Sequence, residues 1–568
     1  MLYIIDALSP FFISRILRPG QVVNWSKVPF GLIERNGLLP SITADQIVKR
    51  FESYSQKVSS IGCNALSIDD LAHIADYPDY SKGIHQKIQS YRILYDCIFS
   101  SAEKHKLDIF INTDASFTPC TIAGNYKQSI NAMVILCRDL FVKYPSVKGI
   151  IVRIGECDGV DVRGDLSSAL AFRTIKQTRE LLLALLPLFR TYNKLLIFRT
   201  WTVGVFEIGD LMWNKTTYDK LFSGLAFDNL VISHKYGDSD FFRYLKLNSL
   251  IFRGEHKKIV EFQTRREYEG FGEFPSFTGY DYEQYARLLE KHNTFIGIHI
   301  WCQTGGWSKF HNCTYMPNSS LWNEINTETT IDIFKKRMSA EDAVLSLYQR
   351  RFNGASTDKL IHLLKLSDLV IKKIWYITDY SNNALYFRRL RIPPMMWIFW
   401  DTIIINPIVR RLIRKFTVDK KAMIEEASGL LTCITTMKSL ALELGIPSKS
   451  IDFQYETFRL LLIIRKYYLG ELTDELVEIL QKTIGHYTKQ YSEGLCVAMT
   501  DVNRKTKKKI PDLFFNLIVR KRPEYRLMEK KLYTVVLFTI RPLVKYLTKK
   551  KMTPIASERA MGFDTLLK

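Results

Sequence analysis

From residue 30 to residue 301, short β-rich runs alternate with longer amphipathic ones. The runs Phe30–Glu34, Asn64–Ile68, Leu107–Asn112, Gly149–Ile154, Leu195–Arg199, Leu230–Ser233, Lys258–Phe262 and Phe295–Ile300 have the length and composition of strands. Between them a 3.6-residue period predicts helices, for example over Thr43–Ser60 and Arg173–Phe189, the second almost continuously apolar on one face. Eight strands alternating with helices over roughly 270 residues match the size and count of an α/β fold, the (β/α)8 TIM barrel. A doubly wound open sheet is the alternative, but its Gly-rich first turn is absent. Beyond residue 340 strands fade, and Ala340–Arg351, Thr357–Thr378, Phe458–Leu469 and Asp474–Thr488 read as helices. The division expected is a 1–29 N-terminal lead-in, a 30–330 catalytic barrel and a 331–568 basic α-helical C-terminal domain.

In a barrel, function sits where the strands end. Those ends carry Glu34 and Arg35, Asp69 and Asp70, Asp114, then Arg153, Glu156 and Asp158. They continue with Arg199, Trp201 and Thr202, then His234, Lys235, Tyr236, Asp238 and Asp240. The segment Glu261–Glu267 follows, and last come His299, Trp301 and Gln303. Strand ends so composed suit a pocket rim better than a buried edge.

Carboxylates converging with Trp and Tyr are the equipment for glycosidic cleavage, where one carboxylic acid protonates the leaving oxygen and a second activates water or attacks carbon. Glu156 after the fourth strand and Glu261 on the seventh stand nearly opposite in an eight-strand ring, which suits an acid facing a base or nucleophile. Arg153 and Arg199 either bind a substrate carboxylate or neutralise Glu156. Trp201, Trp301 and Trp307 offer faces for sugar rings. His234, Asp238 and Asp240 raise the question of a metal, but no H-x-H or H-E-x-x-H spacing accompanies them. No metal and no cofactor is called for.

The net charge of +22 is unevenly placed: 43 Lys+Arg against 24 Asp+Glu fall in 331–568, which leaves only +3 for 1–330. Two C-terminal stretches stand out. Pro393–Val409 is rich in Met, Trp and Phe and is followed by Arg410, Arg411, Arg414 and Lys415, and Arg504–Lys551 is strongly basic. The apolar runs inside the second, Leu513–Val519 and Leu532–Ile540, both fall short of the roughly 20 residues of a spanning helix. They read either as a surface helix on anionic lipid or as buried bundle helices with a basic outer face. No nucleic-acid motif accompanies the charge. The nine cysteines are scattered without C-x-x-C, and the N-terminus has no basic n-region and carries Asp6, so a reducing, cytoplasmic setting is expected, peripheral to the inner face of a membrane if the basic region binds lipid.

Several segments resemble the α-glucuronidases of glycoside hydrolase family 67. Residues 60–70 (SIGCNALSIDD) are similar to that family's second strand, and 149–159 (GIIVRIGECDG) to its fourth, which carries the general acid. Similar stretches are 197–201 (IFRTW), 235–241 (KYGDSDF), 260–270 (VEFQTRREYEG) and the exit through 321–323 (LWN) and 330–334 (TIDIF), in consistent order over about residues 30–340. The resemblance implies an inverting hydrolase with Glu156 as general acid and Asp240 and Glu261 as the water-activating pair. Arg153 then falls where the family has a lysine for the uronate carboxylate. Asp70, Arg153, Arg199, Trp201, Lys235, Arg265 and Trp301 are the substrate-binding candidates. The family's N-terminal β-rich domain has no counterpart ahead of residue 30, and Glu156 is one residue closer to Arg153 than the family spacing. The reading is a hydrolase of an acidic, uronic-acid-type sugar, with a homodimer formed through the C-terminal helices as in the family. The alternative is a non-hydrolytic carbohydrate-binding or polysaccharide-assembly protein held at a membrane surface by its basic region.

Overall fold

The structure, a computed structural model, describes residues 1–13, 17–119, 122, 124–155, 166–168, 170–202, 206–352, 357–500 and 519–525. Eight parallel strands close into a barrel: β1 Leu2–Asp6, β2 Ala65–Asp69, β3 Asp108–Asp114, β4 Gly149–Arg153, β5 Leu195–Arg199, β6 Leu230–Lys235, β7 Lys257–Gln263 and β8 Phe295–Trp301. Each pairs with its sequence neighbour, and β1 closes the ring against β8. Helices α1 Ser41–Ile61, α2 Lys82–Lys104, α3 Tyr126–Lys143, α4 Ile175–Thr191, α5 Lys215–Phe222 and α6 Gly279–Leu289 make the crossovers, except between β6 and β7, where a single 3-10 turn, Ser249–Phe252, does so.

The first strand differs from the sequence expectation. Leu2–Asp6 is β1, and Phe30–Ile33 is one helical turn, closed by the Glu34 N–H bonding to the Phe30 carbonyl at 3.1 Å. The barrel therefore begins inside the stretch expected to be a lead-in. Pro29 and Gly31 bracket the start of the second run and disfavour a ladder there, whereas Leu2–Asp6 offers five consecutive residues with unbroken backbone donors.

Because helices cover the outside, both faces of these strands are buried and the outer positions are mostly apolar, with Thr113, His234 and Lys258 as polar exceptions. The inner positions change character along the barrel axis. At the lower level Ile4, Ala65, Phe110, Ile151, Ile197, Val231 and Ile259 form a separate apolar plug. Two residues further along each strand, period-2 alternation puts Asp6, Ser67, Asn112, Arg153, Arg199, Ser233 and Glu261 on the same inner face. The register of β7 against β8 shifts between Lys258 and Ile259, opposite Gly297, where an added Cβ would lie 2.0 Å from the Leu2 carbonyl oxygen.

The C-terminal region is mostly helical. α7 Leu321–Lys336 packs directly on the barrel although much of it is polar. Asn326 donates to the Thr264 and Ser276 carbonyls at 3.2 and 3.0 Å, Arg351 pairs with Glu324 and Glu328, and Arg350 pairs with Asp332. The apolar stretch 393–409 is not a surface helix: it holds the hairpin Ile398–Phe399/Thr402–Ile405, to which Cys496–Met499 adds a third strand. Met395, Trp397 and Trp400 are buried. Part of the following basic cluster has a structural use. In the helix Pro407–Phe416, Arg410 donates to the Tyr467 and Gly470 carbonyls at 2.6 and 2.8 Å, and Arg414 to Gly470 at 2.7 Å. These are the unsatisfied carbonyls at the C-terminal end of the helix Lys449–Leu469, where cations are favoured. Among the described residues no helix is long and apolar enough to cross a membrane. Most of the basic run 504–551 lies outside the described residues.

If Ile4 belongs to the apolar plug, Ile4→Ala should lower unfolding free energy by about 2–5 kcal/mol, measured by urea denaturation. A residue in a peripheral lead-in would change it by only about 0.5 kcal/mol.

Candidate active site

The ionisable groups at the C-terminal mouth of the barrel neutralise one another in local sets. Glu261 projects from β7 into the centre, fully buried. Arg199 of β5 grips it with both nitrogens, Nε to Oε1 at 2.8 Å and Nη2 to Oε2 at 2.7 Å. Ser233 Oγ donates to Oε1 at 2.6 Å and Trp301 Nε1 to Oε2 at 3.0 Å. All four acceptor positions of the carboxylate are thereby filled. Burial pushes this carboxyl up, but the charge and hydrogen bonds of Arg199 outweigh it and hold Glu261 at about 2. The Arg199 guanidinium lies 4.7 Å from the Trp301 ring centre. His299, Cα partner of Glu261 on β8, is buried and held neutral, its pKa lowered to about 3 chiefly by burial, with Nε2 2.8 Å from Ser67 Oγ.

A second set lies on β6 and its following loop. Lys235 Nζ donates to Asp240 Oδ1 at 2.5 Å and sits 3.5 Å from the Trp201 ring centre. The Phe241 N–H also reaches Oδ1, at 2.9 Å, and Tyr268 OH reaches Oδ2 at 3.0 Å. A third set joins Asp114 at the end of β3 to Arg153 at the end of β4, Nε to Oδ1 at 2.5 Å, and to Lys27. Burial raises the Asp114 carboxyl, but the two cations prevail and lower it.

Asp69, at the end of β2, differs. Its Oδ2 accepts the Val28 N–H at 3.0 Å, and it makes no salt bridge among the described residues. Burial pushes it up to about 7, with Arg153, Lys27 and the Val28 N–H pulling against burial and the Asp70 charge. The peptide bond Asp69–Asp70 is cis.

The candidates from sequence divide accordingly. Arg153, Arg199, Lys235, Asp240, Glu261, Trp201 and Trp301 meet at the mouth. Glu156 lies outside the described residues. Asp70 is turned aside: its Oδ1 accepts the His73 N–H at 3.1 Å and lies 2.8 Å from His73 Nδ1, capping the turn Leu71–Ile74. Arg265 also belongs elsewhere. It is buried against Trp25, 4.0 Å from that ring, and donates to the carbonyls of Gln303, Phe310 and Asn312. It is scaffold, its pKa lowered to about 10 by burial. Arg266 and Glu269 are likewise committed, to each other and, through Glu269, to Arg243. Arg153 and Arg199, expected to serve a substrate carboxylate or Glu156, have Asp114 and Glu261 as partners.

Lys27 lies in no strand and carries no signal in the sequence, and Asp69 rather than the expected Asp70 faces the mouth. Strand alternation signals the second: Ala65, Ser67 and Asp69 share the inner face. Among the described residues no group of three or more His, Cys, Asp or Glu side chains is placed to hold a metal ion.

The fold is similar to those of solved glycoside hydrolases. A GH138 enzyme targeting pectin rhamnogalacturonan II shares 10% identity, with 97% of this chain and 69% of that one covered and a TM-score of 0.46. For CpGH84B the values are 12%, 78%, 69% and 0.36. For Cel5A of Thermotoga maritima they are 14%, 49%, 88% and 0.32. The assignment of the barrel rests on its own strand pairing and not on these likenesses. No family model and no curated protein matches the chain.

Glu261→Gln leaves the buried Arg199 charge without its counter-ion and should cost about 3–5 kcal/mol of stability at neutral pH. The Glu261 contribution is complete above the ordinary glutamate value of 4.5 and is lost as pH falls toward about 2. The stability difference between wild type and Glu261→Gln, followed by denaturant titration, should therefore shrink across that window.

Proposed function

We propose that this chain is a glycoside hydrolase whose reaction takes place at the barrel mouth, on a sugar that carries an acidic group. The observation that carries the reading is the ring of carboxylates at the C-terminal strand ends, Asp69, Asp114, Asp240 and Glu261, set beside Trp201 and Trp301. Glycosidic cleavage requires two carboxyl groups in different protonation states on opposite sides of the scissile bond, and this ring contains both kinds.

Asp240 suits the water-activating role better than Glu261. Its described partners fill two positions on Oδ1 and one on Oδ2, so one acceptor position remains for a water. Glu261 has none left and orients Arg199 and Trp301 instead. The acidic-sugar preference rests on charge. Lys27, Arg153, Arg199 and Lys235 bring four cations to the mouth, where they face Asp114, Asp240 and Glu261 in contact pairs. An anionic group on a sugar would be held there by exchanging for one of these protein carboxylates. The resemblance to family 67 implies Glu156 as the acid, a role for which Asp69 is the rival: an unchanged rate in Glu156→Gln on a glycoside with a poor leaving group removes Glu156 from it.

The second reading, a carbohydrate-binding protein without hydrolysis, is favoured by one observation: the four mouth cations are all committed to protein carboxylates. The two readings separate in one experiment. Purified protein is incubated with a panel of uronic-acid-containing oligosaccharides and followed by product chromatography. The hydrolytic reading predicts release of sugar, reduced by about 10²–10⁴ in kcat in Asp240→Asn. Saturable binding by calorimetry without release on any member of the panel would establish the second reading.

A further inference from the structure

Of the mouth carboxyl groups with described surroundings, three have a cation in contact and Asp69 has none. One of its four acceptor positions is filled, by the Val28 N–H, although the residue is only 4% exposed. An ionised carboxylate in that position is poorly compensated. Asn112 of β3 is the Cα partner of Asp69 on the same inner face, is 6% exposed, and its Oδ1 is buried with no donor. A carboxyl O–H on the neighbouring strand is one donor that could satisfy Oδ1, while the Asn112 Nδ2 could serve an ionised carboxylate, so it is the missing cation that favours the protonated form. The charged and titratable groups around Asp69 are Asp70 on its own strand end, Tyr95 of α2 through the Asp69 carbonyl, Asp114 of β3, Arg153 of β4 and Lys27. Arg153 and Lys27 both have Asp114 as their close partner.

We propose that Asp69 is a catalytic residue of this site, delivering a proton to the departing glycosidic oxygen from the side of the ring opposite Asp240. The proposal rests on the hydrolytic reading above. β2 and β6 stand four strands apart in a ring of eight, so the two carboxyl groups approach a bound sugar from opposite walls. In the step itself the C–O bond breaks with its electron pair going to the leaving oxygen, which takes the Asp69 proton. Water adds to the anomeric carbon and gives a proton to Asp240. Asp240 then releases its proton to solvent, and Asp69, left as a carboxylate, regains one from solvent. Burial, which sets the Asp69 carboxyl near neutrality, matches the value an acid needs at working pH.

The test uses the full-length protein, Asp69→Asn and two glycosides of the same uronic sugar, one with a sugar leaving group and one with a dinitrophenyl leaving group that departs without a proton. Asp69→Asn should lose about 10²–10⁴-fold on the first and less than about tenfold on the second, and the alkaline fall in the wild-type rate near neutral pH should disappear. Equal loss on both, or an unchanged pH profile, overturns the proposal. A second readout needs no activity. Because a carboxyl raised from 3.8 to about 7 costs the folded state stability between those two values, the melting temperature of Asp69→Asn should gain on that of wild type from about pH 4 to about pH 7 and level off above. A constant difference across that range means that Asp69 is ionised throughout it and overturns the proposal; should Asp69→Asn not fold, Asp69→Ser is read in the same way. If wild type cleaves neither glycoside, the hydrolytic reading fails and the catalytic role with it. Cleavage that ignores Asp69 removes Asp69 alone.

Discussion

A carboxylate at the centre of a closed barrel has no water to turn to, so the pairing of Glu261 with Arg199 constrains everything around it. The two groups come from strands separated by β6, and Ser233 of β6 completes the set between them. Trp301 of β8 closes the fourth position. Four strands are thus tied at one level by a single side chain. A pair of this kind is weak as a source of stability relative to a hydrophobic plug, yet costly to break one-sidedly. Its use is orientation: Arg199 and Trp301 cannot turn away from the mouth while Glu261 holds them.

The same rule extends outward from the barrel. Just past β7 the chain carries Arg265, Arg266, Glu267 and Glu269, and the neutralisation is passed to the C-terminal helices. Arg266 pairs with Glu269, Glu269 with Arg243, and Arg243 with Asp281 and Asp368. Tyr376 OH donates to Glu269 at 2.8 Å. The helical region is therefore joined to the base of the site by buried charge as well as by apolar contact. Burial raises the Glu269 carboxyl, but the two arginines prevail and hold it at about 2, which keeps the joint ionised. The mouth and this joint divide the acidic segment 258–274 into two systems, one facing inward with Glu261 and one facing the helices.

Much of this was legible in the sequence. Apolar runs such as GIIVR and LLIFR carry polar residues only at their C-terminal ends, which announces both a strand and the direction of its functional end. What stayed hidden were the contributions of segments without periodicity. Lys27 comes from a loop and Tyr268 from a turn, and nothing in their local sequence says that they reach Asp114 and Asp240. The first strand is ambiguous in the sequence because Phe30–Glu34 and Leu2–Asp6 are both short apolar runs, and five residues do not show which of them finds two partners. Arg265 is a related case. Composition places an arginine at a rim, but only the approach of the Gln303, Phe310 and Asn312 carbonyls shows that it is buried and spent.

An acid on β2 facing a base in the loop after β6, with water between the base and the sugar, has one stereochemical consequence. Proton NMR of a cleavage time course, recorded before the released sugar mutarotates, reads it directly. The account predicts that the first-formed product has the anomeric configuration opposite to that of the substrate. First-formed product with the substrate's own configuration would mean a covalent intermediate on a carboxylate, and would contradict the assignment of Asp69 and Asp240.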